Sequence, residues 1–158
     1  MRNWIIASSA VVLAGLTVLF IVTAPSDEDL IRTALEESVQ ASRDGRPGGV
    51  LDHLSRSLTF NGIPVGSRAD IAEFVRKSKP DIELGPVEPV IDGDVATVVT
   101  SVRVNVTLPG FSADQTVAQV QIRLARQTGV RWLLFPGTKW RISEVTVPDL
   151  ASVPQLIQ

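Results

Sequence analysis

The sequence predicts an α+β protein: an N-terminal single transmembrane helix, then about three helices packed on a curved antiparallel sheet. Three observations support this prediction. They are an uncharged N-terminal run, helix-forming segments in the first half of the chain, and strands of alternating polarity in the second half. Such alternation indicates a sheet with one buried face and one solvated face.

The N-terminal run extends from Trp4 to Ala24 and contains no charged residue. As a helix it is long enough to cross the roughly 30 Å core of a bilayer. We therefore predict a transmembrane anchor at residues 1–25. Because Arg2 precedes the run and acidic residues follow it, the N-terminus is expected in the cytoplasm and the domain outside it, in the periplasm. The alternative is a cleaved signal peptide, although Pro25 would hinder cleavage after Ala24.

Three helices and a short strand are predicted before the long strands. The first helix runs from Ser26 to Ser42 and opens with a pattern similar to a capping box. The second covers about Val50 to Ser57, and the short strand covers Leu58 to Ile63. The third helix follows the capping residue Ser67 and ends at Pro80.

Three long strands are predicted to form the sheet. In Val98 to Leu108 the even positions are apolar, apart from Thr100, and the odd positions become polar. Thr116 to Arg126 repeats the pattern with Ala118 on the apolar face, and Trp140 to Val147 is the third strand. The connections are expected at the hairpin turn Asp92-Gly93 and at loops Leu108 to Gln115 and Gln127 to Lys139.

The composition excludes several classes of site. The chain has no Cys, which excludes disulfides, thiolate metal sites and a cysteine nucleophile. With one His and no carboxylate cluster at ligand spacing, no metal site is predicted. A formal net charge of −2 argues against nucleic acid as the main partner.

Four segments resemble the SnoaL-like branch of the nuclear transport factor two-like superfamily. They are Phe60-Asn61-Gly62, Gly66 to Phe74, Asp92 to Ala96, and Lys139 to Ile142. The resemblance implies a cone-shaped domain at residues 26–147, with helices packed on a curved sheet around a cavity, followed by a C-terminal tail at 148–158. Families of this kind include isomerases, dehydratases and cyclases as well as non-catalytic binding domains.

The resemblance also implies that an enzyme of this kind would hold a carboxylate or His general base in the cone. His53 is one candidate, but its neighbour Asp52 points in a different direction on a helix. Glu144 is the other. If Trp140 and Ile142 mark the buried face, Glu144 points into the cone, unless a bulge reverses the alternation.

Two surfaces are candidates for an interaction. Trp132-Leu133-Leu134-Phe135 cannot all be buried from one strand, because neighbours alternate sides. The cluster is therefore covered by the tail or helices, docked on a protein, or placed in the membrane interface. The other surface consists of strand arginines that are either simply solvated or part of a recognition surface: Arg103, Arg123 and Arg141.

The sequence thus predicts a membrane-anchored, extracytoplasmic accessory domain without catalytic activity or a cofactor. It would dock on another membrane or periplasmic protein, or associate with itself as a homodimer. The alternatives are a small-molecule isomerase or dehydratase, and a carrier of an apolar ligand. A carrier would have a deep cavity lined by Phe60, Phe74 and Trp140.

Overall fold

The computed structural model describes residues 25–131 and 135–148. The helices are α1 (Asp27–Arg43), α2 (Pro47–His53) and α3 (Arg68–Ser78). The strands are β1 (Leu54–Phe60), β2 (Ile63–Pro64), β3 (Asp81–Leu84), β4 (Val90–Asp92), β5 (Val95–Leu108), β6 (Phe111–Arg131) and β7 (Phe135–Thr146). The predicted α+β class is confirmed.

The strands form one mixed sheet. Their order is β2-β1-β7-β6-β5-β3, with β4 paired to β5. The pairs are antiparallel except for β1 and β7, which run parallel. The expectation of a purely antiparallel sheet is therefore wrong at this pair. A parallel pair needs a long crossover, and the whole segment between β1 and β7 supplies it.

Helix α1 begins where the sequence predicts. The Oγ atom of Ser26 accepts a hydrogen bond from the Asp29 backbone N–H at 3.2 Å, which satisfies one of the free donors of the first turn. One face of the helix is buried on the sheet and consists of Ile31, Ala34, Leu35, Ser38, Ala41 and Ser42. This face is the main helical contribution to the core.

Helix α2 is displaced from its predicted position. It begins at Pro47, a residue favoured in the first turn because its missing N–H has no partner there, and it ends at His53. Leu54 and Ser55, expected to be helical, are instead buried residues of β1. Pairing of Leu54 with Ile142 of β7 holds this segment extended.

Helix α3 confirms its prediction. The Oγ atom of Ser67 accepts from the Asp70 N–H at 3.2 Å, and the Asp70 carboxylate accepts from the Ser67 N–H at 3.0 Å. The helix ends at Ser78, before Lys79 turns into the left-handed region with φ 41°. The chain then enters β3, a strand that the sequence analysis did not predict.

The long strands extend further than predicted. Only Pro109 and Gly110 connect β5 to β6, and Gly110 supplies the positive φ of 82° that this tight turn requires. Strand β6 continues to Arg131. The loops expected at Leu108 to Gln115 and Gln127 to Lys139 are therefore mostly strand, whereas the hairpin turn at Asp92-Gly93 is confirmed.

A bulge interrupts β6 opposite Ser101. Thr100 pairs with Val120 and Val102 pairs with Val117, so two residues of β6 lie opposite one of β5. Gln119 has a φ of 59° at this point. Val117 packs against the core and Ala118 is exposed. The prediction that Ala118 faces the core is therefore wrong.

A second bulge lies in β7 at Ser143. Arg123 pairs with Glu144 and Leu124 pairs with Ile142, so Ser143 is the extra residue. The bulge reverses the alternation, and the next apolar side chain packed against the core is Val145. The bulge is the exception under which Glu144 was expected to point away from the cone, and Glu144 lies on the face opposite the core.

The core lies between the helices and one face of the sheet, here called the inner face. The largest fully buried side chains are Trp140, Ile31, Leu35, Leu124 and Val98. They come from α1 and from the three long strands, so the core joins the two halves of the sequence.

No helix among the described residues is long and apolar enough to cross a membrane. The predicted anchor Trp4 to Ala24 lies outside the described residues, as do Trp132, Leu133 and Leu134 and the tail from residue 149.

Candidate functional site

The outer face of the sheet, opposite the core, carries a strip of exposed valines. Val95 and Val99 lie on β5, and Val90 joins them from β4 through its pairing with Thr97. Val90 is 72% exposed and Val99 58% exposed. Because the alternate side chains of β5 point into the core, these valines point toward solvent. We call Val90, Val95 and Val99 the valine strip.

Charged pairs flank the valine strip. Arg123 lies in the same cross-strand row as Thr97 and Glu144, and its Nη1 atom is 3.2 Å from Oε2 of Glu144. Arg103 donates two hydrogen bonds to Asp114, at 2.9 Å and 2.6 Å. Two of the three arginines proposed as a recognition surface are therefore paired with a carboxylate on a neighbouring strand.

The ion pair of Arg103 and Asp114 is exposed, and its main effect is to fix the orientation of these two side chains. The hydrogen bond from Arg103 lowers the pKa of Asp114 below its ordinary value of 3.8, and the same contact raises the pKa of Arg103. Solvent screens such pairs, so this one contributes little to stability but fixes both side chains on the sheet surface.

Arg141 completes the set of outer-face arginines. It is the β7 neighbour of Ala125, which in turn pairs with Val95 of the valine strip. Its Nε atom is buried and has no hydrogen-bond partner among the described residues. The outer face thus combines an apolar centre with a polar rim whose charges are largely matched within the molecule, a composition typical of protein interfaces.

A second cluster, which the sequence analysis missed, ties the start of α1 to the sheet. The Asp27 carboxylate accepts a hydrogen bond from Nη2 of Arg126 at 2.6 Å and from Nε1 of Trp140 at 3.0 Å. The guanidinium of Arg126 lies 5.0 Å from the centre of the Trp140 ring. The indole N–H of a buried Trp usually has a hydrogen-bond acceptor, so the sequence indicates that Trp140 has one if it is buried. The sequence does not identify Asp27 as that acceptor.

His53 lies at the end of α2 and contacts α1. Its Nε2 atom is 3.1 Å from Oε2 of Glu37, and its side chain is largely buried. Burial lowers the pKa of His53 from 6.5, and the nearby charge of Glu37 opposes this shift. The Nδ1 atom is buried without a hydrogen-bond partner among the described residues. Glu37 itself is well exposed, so this pair lies at the helix surface.

Comparison with solved structures identifies the fold. A nuclear transport factor two-like protein of Rhodospirillum rubrum, of unknown function in nutrient uptake, is 18% identical. The alignment covers 73% of this chain and 94% of that chain, with a TM-score of 0.58. The chain has a nuclear transport factor two-like fold.

Two further structures agree. A nuclear transport factor two-like superfamily protein of Salmonella enterica is 15% identical over 81% of this chain and 95% of that chain, with a TM-score of 0.56. A protein of Novosphingobium aromaticivorans, provisionally named an aromatic ring hydroxylase, is 17% identical over 78% and 90%, with a TM-score of 0.55. No family model and no curated protein matches the sequence. At these identities the likeness shows the fold alone.

The three residues predicted to line a deep cavity lie in different environments. Trp140 is 1% exposed and belongs to the core. Phe60 and Phe74 are exposed, at 40% and 51%. They do not form a common buried wall with Trp140. Among the described residues, no group of three or more His, Asp or Glu side chains could hold a metal ion.

Proposed function

We propose that this chain is a membrane-anchored, extracytoplasmic interaction domain that docks on a protein partner through the outer face of its sheet. The partner is another membrane or periplasmic protein or a second copy of the chain. The observation that carries the proposal is the valine strip, defined above by Val90, Val95 and Val99.

Exposed valines on the outer face of the sheet favour contact with another protein because burying them removes apolar area from water. The flanking pairs favour the same use. Arg103 with Asp114 and Arg123 with Glu144 are already matched in charge, so a partner could approach without leaving either member unpaired.

The membrane location rests on the sequence. The uncharged run from Trp4 to Ala24, with Arg2 before it, supports an anchor whose domain lies outside the cytoplasm. The finer assignment to the SnoaL-like branch rests on the motifs that resemble it, such as Phe60-Asn61-Gly62.

The enzyme alternative has weaker support. Glu144 is held by Arg123 on the outer face, away from the inner side where a cavity of this fold lies. His53 is oriented by Glu37 at the helix surface. A general base must reach a substrate proton, and neither arrangement favours that geometry.

The test is to replace Val95 and Val99 together by Lys. We expect the variant to keep its circular dichroism spectrum, because both positions are exposed, and to lose its partners. The measurement is mass analysis of chains that co-purify after gentle solubilisation from native membrane, with light scattering to detect a homodimer. Unchanged partners and unchanged mass would refute the proposal.

Two controls sharpen the result. Ile63→Lys makes the same kind of change at a residue that is 69% exposed on the opposite face, and it should leave association intact. Exchanging the charges in Arg123→Glu with Glu144→Arg keeps the internal pair but reverses its orientation. If this exchange weakens association while the fold is unchanged, the partner contacts this row of the sheet.

A further inference from the structure

The β1–β2 hairpin extends the inner face of the sheet beyond the helices. Phe60 pairs with Val145, which pairs with Ile122, so Phe60 lies on the same face as the core. Ile63 is opposite Phe60, and the Val65 N–H donates to the Leu58 carbonyl at 3.1 Å. Three apolar side chains of the hairpin are nevertheless exposed: Phe60 at 40%, Ile63 at 69% and Val65 at 37%. We call these three residues the hairpin edge.

The chain leaves the sheet directly beside the hairpin edge. The Val147 N–H donates to Oδ1 of Asn61 at 2.7 Å, and the Asn61 N–H donates to the Val145 carbonyl at 2.9 Å. Asn61 and Gly62 have φ values of 49° and 77°, which form the tight turn of the hairpin. Asn61 therefore holds the start of the C-terminal tail at the hairpin.

The tail that follows has the composition of a covering segment. Residues 149–158 carry one charged side chain, Asp149, and four large apolar side chains: Leu150, Val153, Leu156 and Ile157. At about 3.3 Å per extended residue, a few residues suffice to cross the two-residue strand β2. Tethering also gives the tail an effective concentration in the millimolar range, which favours it over a free partner.

We propose that the C-terminal tail packs on the hairpin edge and covers Phe60, Ile63 and Val65. The tail is then an internal strap over one edge of the inner face. This role is independent of the valine strip, which lies on the opposite face.

Thiol labelling tests the strap because the chain has no cysteine of its own. The probe is a maleimide, applied to Ile63→Cys in the full chain and in a chain that ends at Pro148. We expect removal of the tail to accelerate labelling severalfold. Glu83→Cys is the matched control, since Glu83 is 60% exposed on β3 at the other edge of the sheet, and its labelling rate should not change. Equal rates for Ile63→Cys in the two chains overturn the proposal.

Two further measurements test whether the contact is apolar and whether it forms within one chain. Leu156→Ser with Ile157→Ser in the full chain should accelerate labelling as truncation does, because the proposed contact is apolar. If this variant stays as protected as the parent, the proposal fails. Protection that increases with protein concentration would also overturn it, since the tail of a second copy would then occupy the hairpin edge.

Discussion

The contact of Asp27 with the sheet allows the most quantitative prediction. In Asp27→Ala the indole N–H of Trp140, whose side chain is 1% exposed, loses its acceptor. Leaving a buried donor unpaired costs about 1–3 kcal/mol. The partly exposed ion pair with Arg126 adds about 0.2–1 kcal/mol. We therefore expect the free energy of unfolding to fall by about 2–3 kcal/mol.

The replacement Asp27→Asn separates the two contributions. It keeps an oxygen that can accept from Trp140 and removes only the charge that faces Arg126, so the expected loss is about 1 kcal/mol or less. Urea unfolding followed by circular dichroism measures both variants. For a domain of this size, Tm should fall by about 4 °C for each kcal/mol lost.

Glu28→Ala is the control for this comparison. Glu28 is an exposed acidic residue in the same first turn, so its removal reports the loss of favourable charge at the helix N-terminus. If Asp27→Ala is no more destabilising than Glu28→Ala, the long-range contact contributes nothing and the reasoning is refuted. Equal losses in Asp27→Ala and Asp27→Asn would show that the indole acceptor is unimportant.

Three other predictions concern pH, the anchor and the apolar cluster. Because burial lowers the pKa of His53, the unfolded chain binds this proton more tightly. The free energy of unfolding should therefore fall as pH drops through about 6.5. In His53→Gln the urea midpoint should depend less on pH in this range. An unchanged pH dependence in the variant would contradict the prediction. The mature chain should keep Trp4 to Ala24 and remain with membranes through a carbonate wash, whereas a mature N-terminus at Pro25 would show a cleaved signal. Trp132→Ala with Phe135→Ala should weaken association with a membrane complex while the domain stays folded; unfolding instead would identify the cluster as core.

Alternating polarity predicts the faces of strand β5 well. In β5 the even residues Ala96, Val98 and Thr100 are buried, as the pattern requires. Thr100 was the one polar residue on that side, and it is buried with its Oγ1 atom donating to a backbone carbonyl. A local pattern is sufficient here because the two faces of the strand have different environments along most of its length.

Alternating polarity does not hold across the two bulges. In β6 the extra residue puts Ala118 out of step with Val120, Ile122 and Leu124, which are buried as predicted. In β7 the extra residue Ser143 reverses the side chains that follow it. Neither Gln119 nor Ser143 signals a bulge in the sequence. The prediction for Ala118 is therefore wrong, and Glu144 takes the outward orientation that was expected only if a bulge were present. The bulge in β7 matters for function, because an inward orientation is the condition under which Glu144 is a catalytic candidate.

The partners of the functional side chains depend on topology. The arginines at 103 and 123 lie on the predicted solvated face, yet their carboxylate partners Asp114 and Glu144 follow from strand register. The contact between Asp27 and Trp140 joins residues 113 positions apart. No local pattern contains that information, so sequence analysis could place these residues on elements but could not bring them together.

The parallel pairing of β1 with β7 also constrains how the domain is made. Leu54 cannot pair with Ile142 until Ile142 has been synthesised, and the start of α1 cannot contact Trp140 until Trp140 has been synthesised. A chain still on the ribosome therefore exposes the apolar face of α1 and an unpaired edge of β1 until nearly all of the domain has emerged. Contacts this distant in sequence slow folding, and such intermediates aggregate readily. Newly made chains should consequently depend on chaperones more than their size alone suggests.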